Sequence, residues 1–180
     1  SLVVVGFIWF WIYRYDFGLI NIFLRAMGRD ALTKDWLADP STALISVIIA
    51  WAWQQVSLSM IIFLAGLTAV PADLMEASQV DGAKWRTQIR HVIIPSLAPA
   101  ISVVISLALI NALKTFDIVY VMTQGGPYGK TRTLSILSYR EAFKSYDFGY
   151  SSAIAVVLFI LTVTIIGGFM YLTRRGNQDE

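Results

Sequence analysis

The sequence predicts an all-α membrane protein with three full spans and the end of a fourth. Of the 180 residues, 57% are hydrophobic and only 14% are charged, which is typical of a membrane protein. No charge occurs between Thr42 and Asp73, from Val92 to Leu113, or from Phe148 to Thr173. As a helix, each stretch can cross about 30 Å of hydrocarbon. Because no repeat or flexible linker interrupts the chain, we predict one membrane domain over 1–172 and a short tail at 173–180.

The chain opens with thirteen uncharged residues, which are too few to cross a bilayer. They lack the positively charged segment that begins a signal peptide. We therefore expect them to be the second half of a span that starts before Ser1. Polar segments at 14–42, 71–91 and 114–147 separate this half-span and the three full spans.

Alternation of the spans places 14–42 and 114–147 on one face of the membrane, and 71–91 with the tail on the other. Lys and Arg number nine on the first face and five on the second. Since positively charged loops usually lie in the cytoplasm, this count alone would make the first face cytoplasmic. The long segments also contain acids, and the first span usually dominates orientation, so we look to motifs for the orientation.

The segment 71–91, which we call the elbow, has the pattern of two short helices joined by a tight turn. Asp73, with Glu76 three residues later, resembles the capping arrangement that begins a helix. Gly82 can adopt the left-handed backbone conformation that commonly ends one. The following span has two prolines near its start, Pro95 and Pro99.

Each helix of the elbow offers one apolar face. The faces are formed by residues at helical spacing, Leu74, Ala77 and Ser78 in the first helix and Trp85, Ile89 and Val92 in the second. Such faces suit docking into a groove of a partner protein. They equally suit a connector that lies on lipid headgroups, and hydrophobic spacing does not distinguish the two.

The elbow resembles the cytoplasmic EAA loop of permeases in ATP-binding cassette (ABC) importers. The matching residues are Glu76, Ala77, Asp81, Gly82 and Ala83, followed by Val92, Ile94, Pro95, Leu97 and Pro99. The family pattern has a second Ala in place of Ser78, and commonly Phe, Ile and Leu at the positions of Ile89, Val92 and Ile94, which are conservative departures. The segments 8–21, 116–127 and 147–153 also resemble the carbohydrate-uptake branch, in particular its maltose-type first permease.

The resemblance covers nearly the whole chain and implies the type-1 ABC importer transmembrane domain, without two earlier spans at its N terminus. It places the elbow and the tail in the cytoplasm and 114–147 outside, against the charge count. It implies a multi-pass protein of the inner membrane, working with a homodimeric ABC ATPase subunit, a second permease subunit and an extracytoplasmic solute-binding protein. The residues it assigns to coupling with the ATPase subunit are Leu74, Glu76, Ala77, Asp81, Gly82, Ala83 and Trp85.

Motifs that resemble catalytic sites lack the context that such sites need. The segment 124–131 looks like a phosphate-binding loop, but Gln124 stands where Gly is required and Pro127 removes a backbone donor. The Asp-Phe-Gly triplets at 16–18 and 147–149 lack other kinase motifs, so we predict turns that lead into helices. One His and no Cys offer no metal site, and basic residues do not cluster with aromatics as nucleic-acid binding requires. We predict no catalytic residue, metal, cofactor or nucleic-acid partner.

A few polar side chains interrupt the predicted spans, where amides are costly unless they face protein or a wet cavity. Gln54 and Gln55 lie near the middle of one span, and Asn111 lies towards the outer end of the next. Trp51 precedes Gln55 by four residues, so an aromatic face and amides can line one surface suited to a sugar. Thr115 is a further candidate for this solute path. The alternative is that these side chains join helices to one another.

The sequence therefore predicts the permease subunit of an ATP-driven importer for a sugar or a related polyol-like solute. Two alternatives stay open. The solute can belong to another class, such as glycerol phosphate, an amino acid, a peptide or an oxyanion. Alternatively, the protein uses another mechanism, as a secondary transporter or a channel. Such a protein needs ionisable residues within its spans for coupling, and the three charge-free stretches have none.

Overall fold

Every regular element in the described part of the chain is helical, which confirms the all-α prediction. The computed structural model describes residues 1–176, without the side chains at 172 and 174–176, and the end of the predicted tail, 177–180, lies outside it. A 3₁₀ turn at Asp30–Leu32 and a π-helical turn at Ile89–Ile93 accompany the α-helices. The helices are α1 (Leu2–Ile12), α2 (Leu19–Ala26), α3 (Ala43–Thr68), α4 (Ala72–Val80), α5 (Trp85–Gln88), α6 (Ile94–Ser96), α7 (Ala98–Leu113), α8 (Asp117–Met122), α9 (Leu134–Phe143) and α10 (Phe148–Gly176).

Within the described residues, two helices are long and apolar enough to cross a membrane unaided. These are α3, with 26 residues, and the first 24 residues of α10, at Phe148–Tyr171. Helix α1 is apolar and, with 11 residues, is by itself too short to cross a membrane.

The third predicted span, 92–113, is not one straight helix. Helix α7 begins only at Ala98 and has 16 residues. The helical run Trp85–Ser96 meets α7 at an angle of 64°, so the third span exists only as a bent pair. Pro99 explains the break, because a proline has no N–H to donate to the carbonyl of Pro95 four residues earlier. The sequence analysis placed both prolines near the start of the span but did not predict the bend.

The polar segments contain ordered short elements. Segment 14–42 includes α2 and the 3₁₀ turn, and segment 114–147 includes α8 and α9. The first Asp-Phe-Gly triplet lies in a turn that leads into α2, as predicted. The second is not a turn, because Phe148 and Gly149 are already the first two residues of α10 and only Asp147 precedes the helix. Gly18 is the residue immediately before α2, and the Asp147 carboxylate accepts a hydrogen bond from the Tyr150 amide in the first turn of α10, at 2.9 Å.

The chain divides into two compact units. The first comprises residues 1–54 and 111–165, and the second comprises 55–110 together with the part of α10 that begins at Ile166. In the first unit, α1 lies against α8, where a Cβ added at Gly6 would approach the Val121 side chain to 3.1 Å. The core of this unit consists of Tyr13, Val47, Ala50, Ile118, Val119, Met122 and Ile136.

In the second unit, α3 and the start of α7 approach each other at a glycine. A Cβ added at Gly66 would lie 2.8 Å from the Leu97 side chain and 3.0 Å from that of Ala100. Small residues of this kind allow membrane helices to approach closely.

Asn21 organises the segment between α1 and α3. Its side chain is completely buried. Its Nδ2 donates to the carbonyl oxygens of Lys34, at 2.9 Å, and Tyr15, at 3.3 Å, and its Oδ1 accepts the indole N–H of Trp36 at 2.9 Å. One amide therefore satisfies buried polar groups from three parts of the segment.

We expect Asn21→Leu to destabilise the protein by about 3 kcal/mol, because leucine has the same branched shape but leaves buried donors and acceptors unpaired. The midpoint of thermal unfolding in detergent should fall by several degrees. Arg29→Ala, at an exposed position of the same segment, serves as the control and should leave the midpoint unchanged. Equal midpoints for the two variants would contradict this role of Asn21.

Candidate functional site

The turn of the elbow is a helix-ending motif built on Gly82. Helix α4 ends at Val80, and Gly82 has φ = +73°, the left-handed conformation predicted for it. The Ala83 amide donates to the Ser78 carbonyl and the Gly82 amide donates to the Gln79 carbonyl, each at 3.0 Å. These two bonds are those of the Schellman motif, which satisfies the last carbonyls of a helix.

The predicted capping arrangement at the other end of α4 is wrong. Pro71 occupies the N-cap position, and no side chain caps the helix. Asp73 lies within the first turn, where its negative charge still favours the positive end of the helix dipole. Glu76 then lies one turn further along the helix, too far from the N terminus to reach back to it.

The side chains that the resemblance assigned to coupling are mostly exposed. Leu74 is 50% exposed and Trp85 is 63% exposed, and Glu76, Ala77 and Asp81 are exposed as well. Ala83 is half-buried and Gly82 is exposed, so a Cβ added at Gly82 would meet no atom within 4 Å. Among the basic residues whose side chains the structure describes, which exclude Arg174 and Arg175, none lies within ion-pair distance of Glu76. The elbow thus presents apolar side chains and an exposed carboxylate on one short two-helix unit.

Behind the exposed face, the elbow is continuous with the bent third span. Gln88, the last residue of α5, is buried, and the π-helical turn that follows it leads into α6. His91 is exposed, and one nitrogen of its ring lies 3.1 Å from the Thr87 carbonyl oxygen. This helical continuity connects the elbow directly to the break at Leu97.

Two of the predicted solute-path residues lie on one cavity of the first unit. Trp51 and Thr115 both line an open cavity of about 230 Å³, together with Thr131 and Thr133. The Thr115 hydroxyl donates to the Asn111 carbonyl at 2.6 Å. The backbone carbonyl of Thr115 accepts a hydrogen bond from the Thr133 hydroxyl at 3.1 Å. The rest of the wall is apolar, so the cavity combines an indole ring and aliphatic side chains with three hydroxyls that already donate to backbone carbonyls.

The amides predicted for the solute path do not line this cavity. Gln54 and Asn111 belong to the same unit but are absent from its wall. The Gln54 Oε1 atom is nevertheless buried and has no hydrogen-bond partner among the described residues. Gln55 belongs to the second unit, and both glutamines are half-buried.

The segment 124–131 is a turn, as predicted, and its threonine is used internally. Thr131 is buried, and its hydroxyl donates to the Gly126 carbonyl at 2.6 Å and lies 2.7 Å from the Thr123 hydroxyl. In a phosphate-binding loop this hydroxyl would coordinate Mg²⁺, whereas here it bonds within the turn. Lys130 is exposed.

The chain matches the family described as "binding-protein-dependent transport system inner membrane component" over residues 1–175. The chain belongs to this family. The family is one of inner-membrane transport components, which agrees with the predicted membrane location and with the resemblance to ABC importer permeases.

Curated relatives of this family member include ABC transporter permeases. A probable ABC transporter permease protein of Pyrococcus horikoshii is 34% identical over 99% of this chain and 61% of its own length. The trehalose/maltose transport system permease protein MalF of Thermococcus litoralis is 36% identical over 87% of this chain and 52% of its own length. The multiple sugar-binding transport system permease protein MsmF of Streptococcus mutans is 39% identical over 76% of this chain and 47% of its own length. The chain thus spans about half to three fifths of these relatives.

The fold of this family member has a counterpart among solved structures. A chain from the crystal structure of a bacterial ABC transporter involved in the import of the acidic polysaccharide alginate aligns with a TM-score of 0.87. The alignment covers 97% of this chain and 61% of that chain, at 22% sequence identity. This likeness confirms the predicted fold class, an ABC importer transmembrane domain.

The sequence analysis missed an aromatic cluster in the first unit of this family member. Phe116 and Tyr120 stack with ring centroids 5.1 Å apart, and Tyr139 lies within 5.3 Å of both. The cluster borders an open groove of about 390 Å³. The hydroxyl of Tyr120, as a hydrogen-bond partner, raises the pKa of Tyr139 above its ordinary value. The signal was the four-residue spacing of Phe116 and Tyr120 and of Tyr139 and Phe143.

Proposed function

We propose that this chain is the permease subunit of an ATP-driven importer for a sugar or a related polyol-like solute, and that the elbow couples it to an ATPase subunit. The observation that carries the proposal is the elbow itself, a two-helix unit with a left-handed Gly82 and exposed apolar side chains. The names of the relatives support the solute class, since they include permeases for trehalose and maltose and for multiple sugars.

The exposed face of the elbow is suited to a cleft on the ATPase subunit. Leu74, Ala77 and Trp85 supply apolar contact area, and the exposed Glu76 carboxylate supplies a partner for a cation at the rim of the cleft. Asp81, Gly82 and Ala83 fix the angle between the two helices. Closure of an ATPase homodimer would move the elbow and, through it, the bent third span.

The chemistry of such an importer belongs to its partners. ATP is hydrolysed by the ATPase subunits, and the chain acts as a lever and as part of the solute path. We propose that a second permease subunit completes the path, and that an extracytoplasmic solute-binding protein delivers the solute to the opposite face from the elbow. No cofactor or catalytic residue of this chain enters the mechanism.

The solute path is proposed to use the cavity of Trp51 and Thr115 and the amides of Gln54, Gln55 and Asn111. An indole face suits the apolar face of a sugar ring, and the hydroxyl and amide groups suit its hydroxyls. The buried, unpaired Oε1 of Gln54 favours a role beyond helix packing, because an unsatisfied buried acceptor costs about 1–3 kcal/mol.

We expect Gln54→Leu, Gln55→Leu and Asn111→Leu each to alter the apparent affinity for solute or the choice of solute, while the complex still assembles. Gln54→Leu should also raise stability slightly, since it removes the unpaired oxygen. Uptake of labelled sugars into cells gives the kinetics, and Ile61→Leu, on an exposed position of α3, is the matched control. Unchanged kinetics in all three variants would assign these side chains to helix packing.

ATP-driven uptake in proteoliposomes tests the proposed function. The full-length permease should take up a labelled oligosaccharide only with its ATPase subunit, second permease, binding protein and ATP. The permease alone should hydrolyse no ATP, and Lys130→Ala should change nothing. Uptake driven by an ion gradient without ATP would instead support a secondary transporter. ATP-dependent uptake of amino acids, but not of sugars, would keep the importer and overturn the solute class.

A further inference from the structure

Helix α2 and the turn before it form an apolar surface that the described part of the chain leaves uncovered. Leu19 and Phe23 are each 64% exposed. The opposite side of the helix is anchored by the buried Asn21. The large exposed apolar side chains of this surface are Phe17, Leu19, Ile22, Phe23 and Met27.

The start of α2 is fixed beside the end of α1. The Gly18 amide donates to the Arg14 carbonyl at 3.0 Å. A Cβ at Gly18 would meet the carbonyl oxygens of Ile12 and Arg14, so only glycine allows this close approach. Helix α1 is apolar and uncharged, whereas Arg14 and Asp16 follow it, so α2 starts where the chain passes from an apolar helix to a charged segment.

The boundary between α1 and α2 has the side chains that occur at membrane surfaces. The Arg14 guanidinium lies 5.6 Å from the ring centroids of both Phe10 and Phe17. The Arg25 guanidinium lies 5.3 Å from the ring centroid of Tyr15 and donates to the Tyr15 carbonyl at 3.0 Å. Arginines with apolar stems and aromatic neighbours commonly hold the border between headgroups and acyl chains.

We propose that α2 lies in the membrane interface, with Phe17, Leu19, Ile22, Phe23 and Met27 immersed among the lipids of the leaflet opposite the elbow. The surface continues the exposed apolar side of α1, where Trp11 is 65% exposed, so the same lipid phase would cover both. The helix has the strong amphipathicity of an interfacial segment and is too short to span. It would hold the outer end of α1 at a fixed depth.

A fluorescent label at Phe23→Cys, placed in the full-length permease complex in proteoliposomes, tests this proposal. The 180 residues contain no cysteine, and any elsewhere in the protein would be replaced. The same label at Asp30→Cys is the control for a residue in water. The label at Ile61→Cys, an exposed position of α3, is the control for a residue in the bilayer. The quenchers are brominated lipids and aqueous iodide. Ile22→Cys provides a second position on the same surface.

Brominated lipid should quench the label at position 23 several-fold more than the label at position 30. Iodide should quench the label at position 30 more than the label at position 23. Lipid brominated near its headgroup should quench position 23 better than lipid brominated near the chain end, and position 61 should show the opposite. Iodide quenching equal to that at position 30 would overturn the proposal in favour of a solvated surface. Resistance to both quenchers at positions 22 and 23 would overturn it in favour of cover by protein.

Discussion

Gly82→Val is expected to abolish uptake while leaving membrane insertion intact. The left-handed conformation at Gly82 costs a residue with a Cβ on the order of 1–2 kcal/mol, and more for a β-branched side chain. Because no atom lies within 4 Å of the added Cβ, the effect comes from the backbone and not from a collision. The turn would open, the Ala83 bond to Ser78 would break, and α5 would change its angle to α4.

The series at position 82 separates backbone geometry from side-chain size. Asn tolerates the left-handed region, so Gly82→Asn should keep most of the uptake, Gly82→Ala should keep less, and Gly82→Val should keep none. The measurements are solute uptake into cells and the amount of ATPase subunit that co-purifies with the permease. Transport by the valine variant at the wild-type rate would contradict a hinge at Gly82.

Glu76→Lys tests the charge at the same site by a different route. The substitution keeps the helix but places a cation where we propose that the ATPase subunit has one, and like charges at an interface weaken association. We expect loss of uptake and loss of co-purifying ATPase subunit. Gln79→Lys is the control, since Gln79 is an exposed residue of α4 that is not among those assigned to coupling, and a lysine there adds a cation without removing the acid of the first turn. Equal effects of the two variants would indicate a general response to charge.

The second large effect is expected at Gly18, and it concerns stability. A Cβ at this position would lie 2.5 Å from the Ile12 carbonyl oxygen and 2.6 Å from the Arg14 amide nitrogen, and backbone atoms cannot move aside as a flexible side chain can. We expect Gly18→Ala to destabilise the protein by about 3 kcal/mol or more. The thermal unfolding midpoint in detergent should fall by several degrees, and the amount of protein in the membrane should fall with it.

Gly167→Ala is the matched control for Gly18→Ala. Gly167 lies inside α10, where an added Cβ meets no described atom within 4 Å and alanine favours the helix. This variant should be as stable as the parent or slightly more stable. A Gly18→Ala protein that unfolds at the same temperature as Gly167→Ala would show that the segment after α1 can rearrange to make room.

Local signals in the sequence predicted the features that depend on neighbouring residues. Uncharged stretches gave the positions of α3 and α10, because span length follows from bilayer thickness. The turn at Gly82 was predicted because a helix end of this kind needs a residue that tolerates positive φ. The family itself was recognised from a series of short motifs in the right order, and the match over residues 1–175 confirms it.

Features that depend on distant residues were not predictable in this way. Asn21 is polar in a polar segment, and only the fold brings Lys34 and Trp36 to its amide. The cavity that joins Trp51 to Thr115 unites residues 64 positions apart in the sequence. The capping prediction at Asp73 failed for a different, local reason: Pro71 takes the N-cap position, which moves the helix start by two residues.

A photoactivatable amino acid at Val80 tests the coupling role of the elbow most directly. Val80 is 88% exposed at the end of α4. Tyr128, which is 92% exposed, is the control, because the proposed topology has the segment 114–147 outside, away from the ATPase subunit. In the full-length complex in membranes, irradiation should cross-link position 80, but not position 128, to the ATPase subunit identified by mass spectrometry. Cross-links to that subunit from position 128, or none from position 80, would contradict the account.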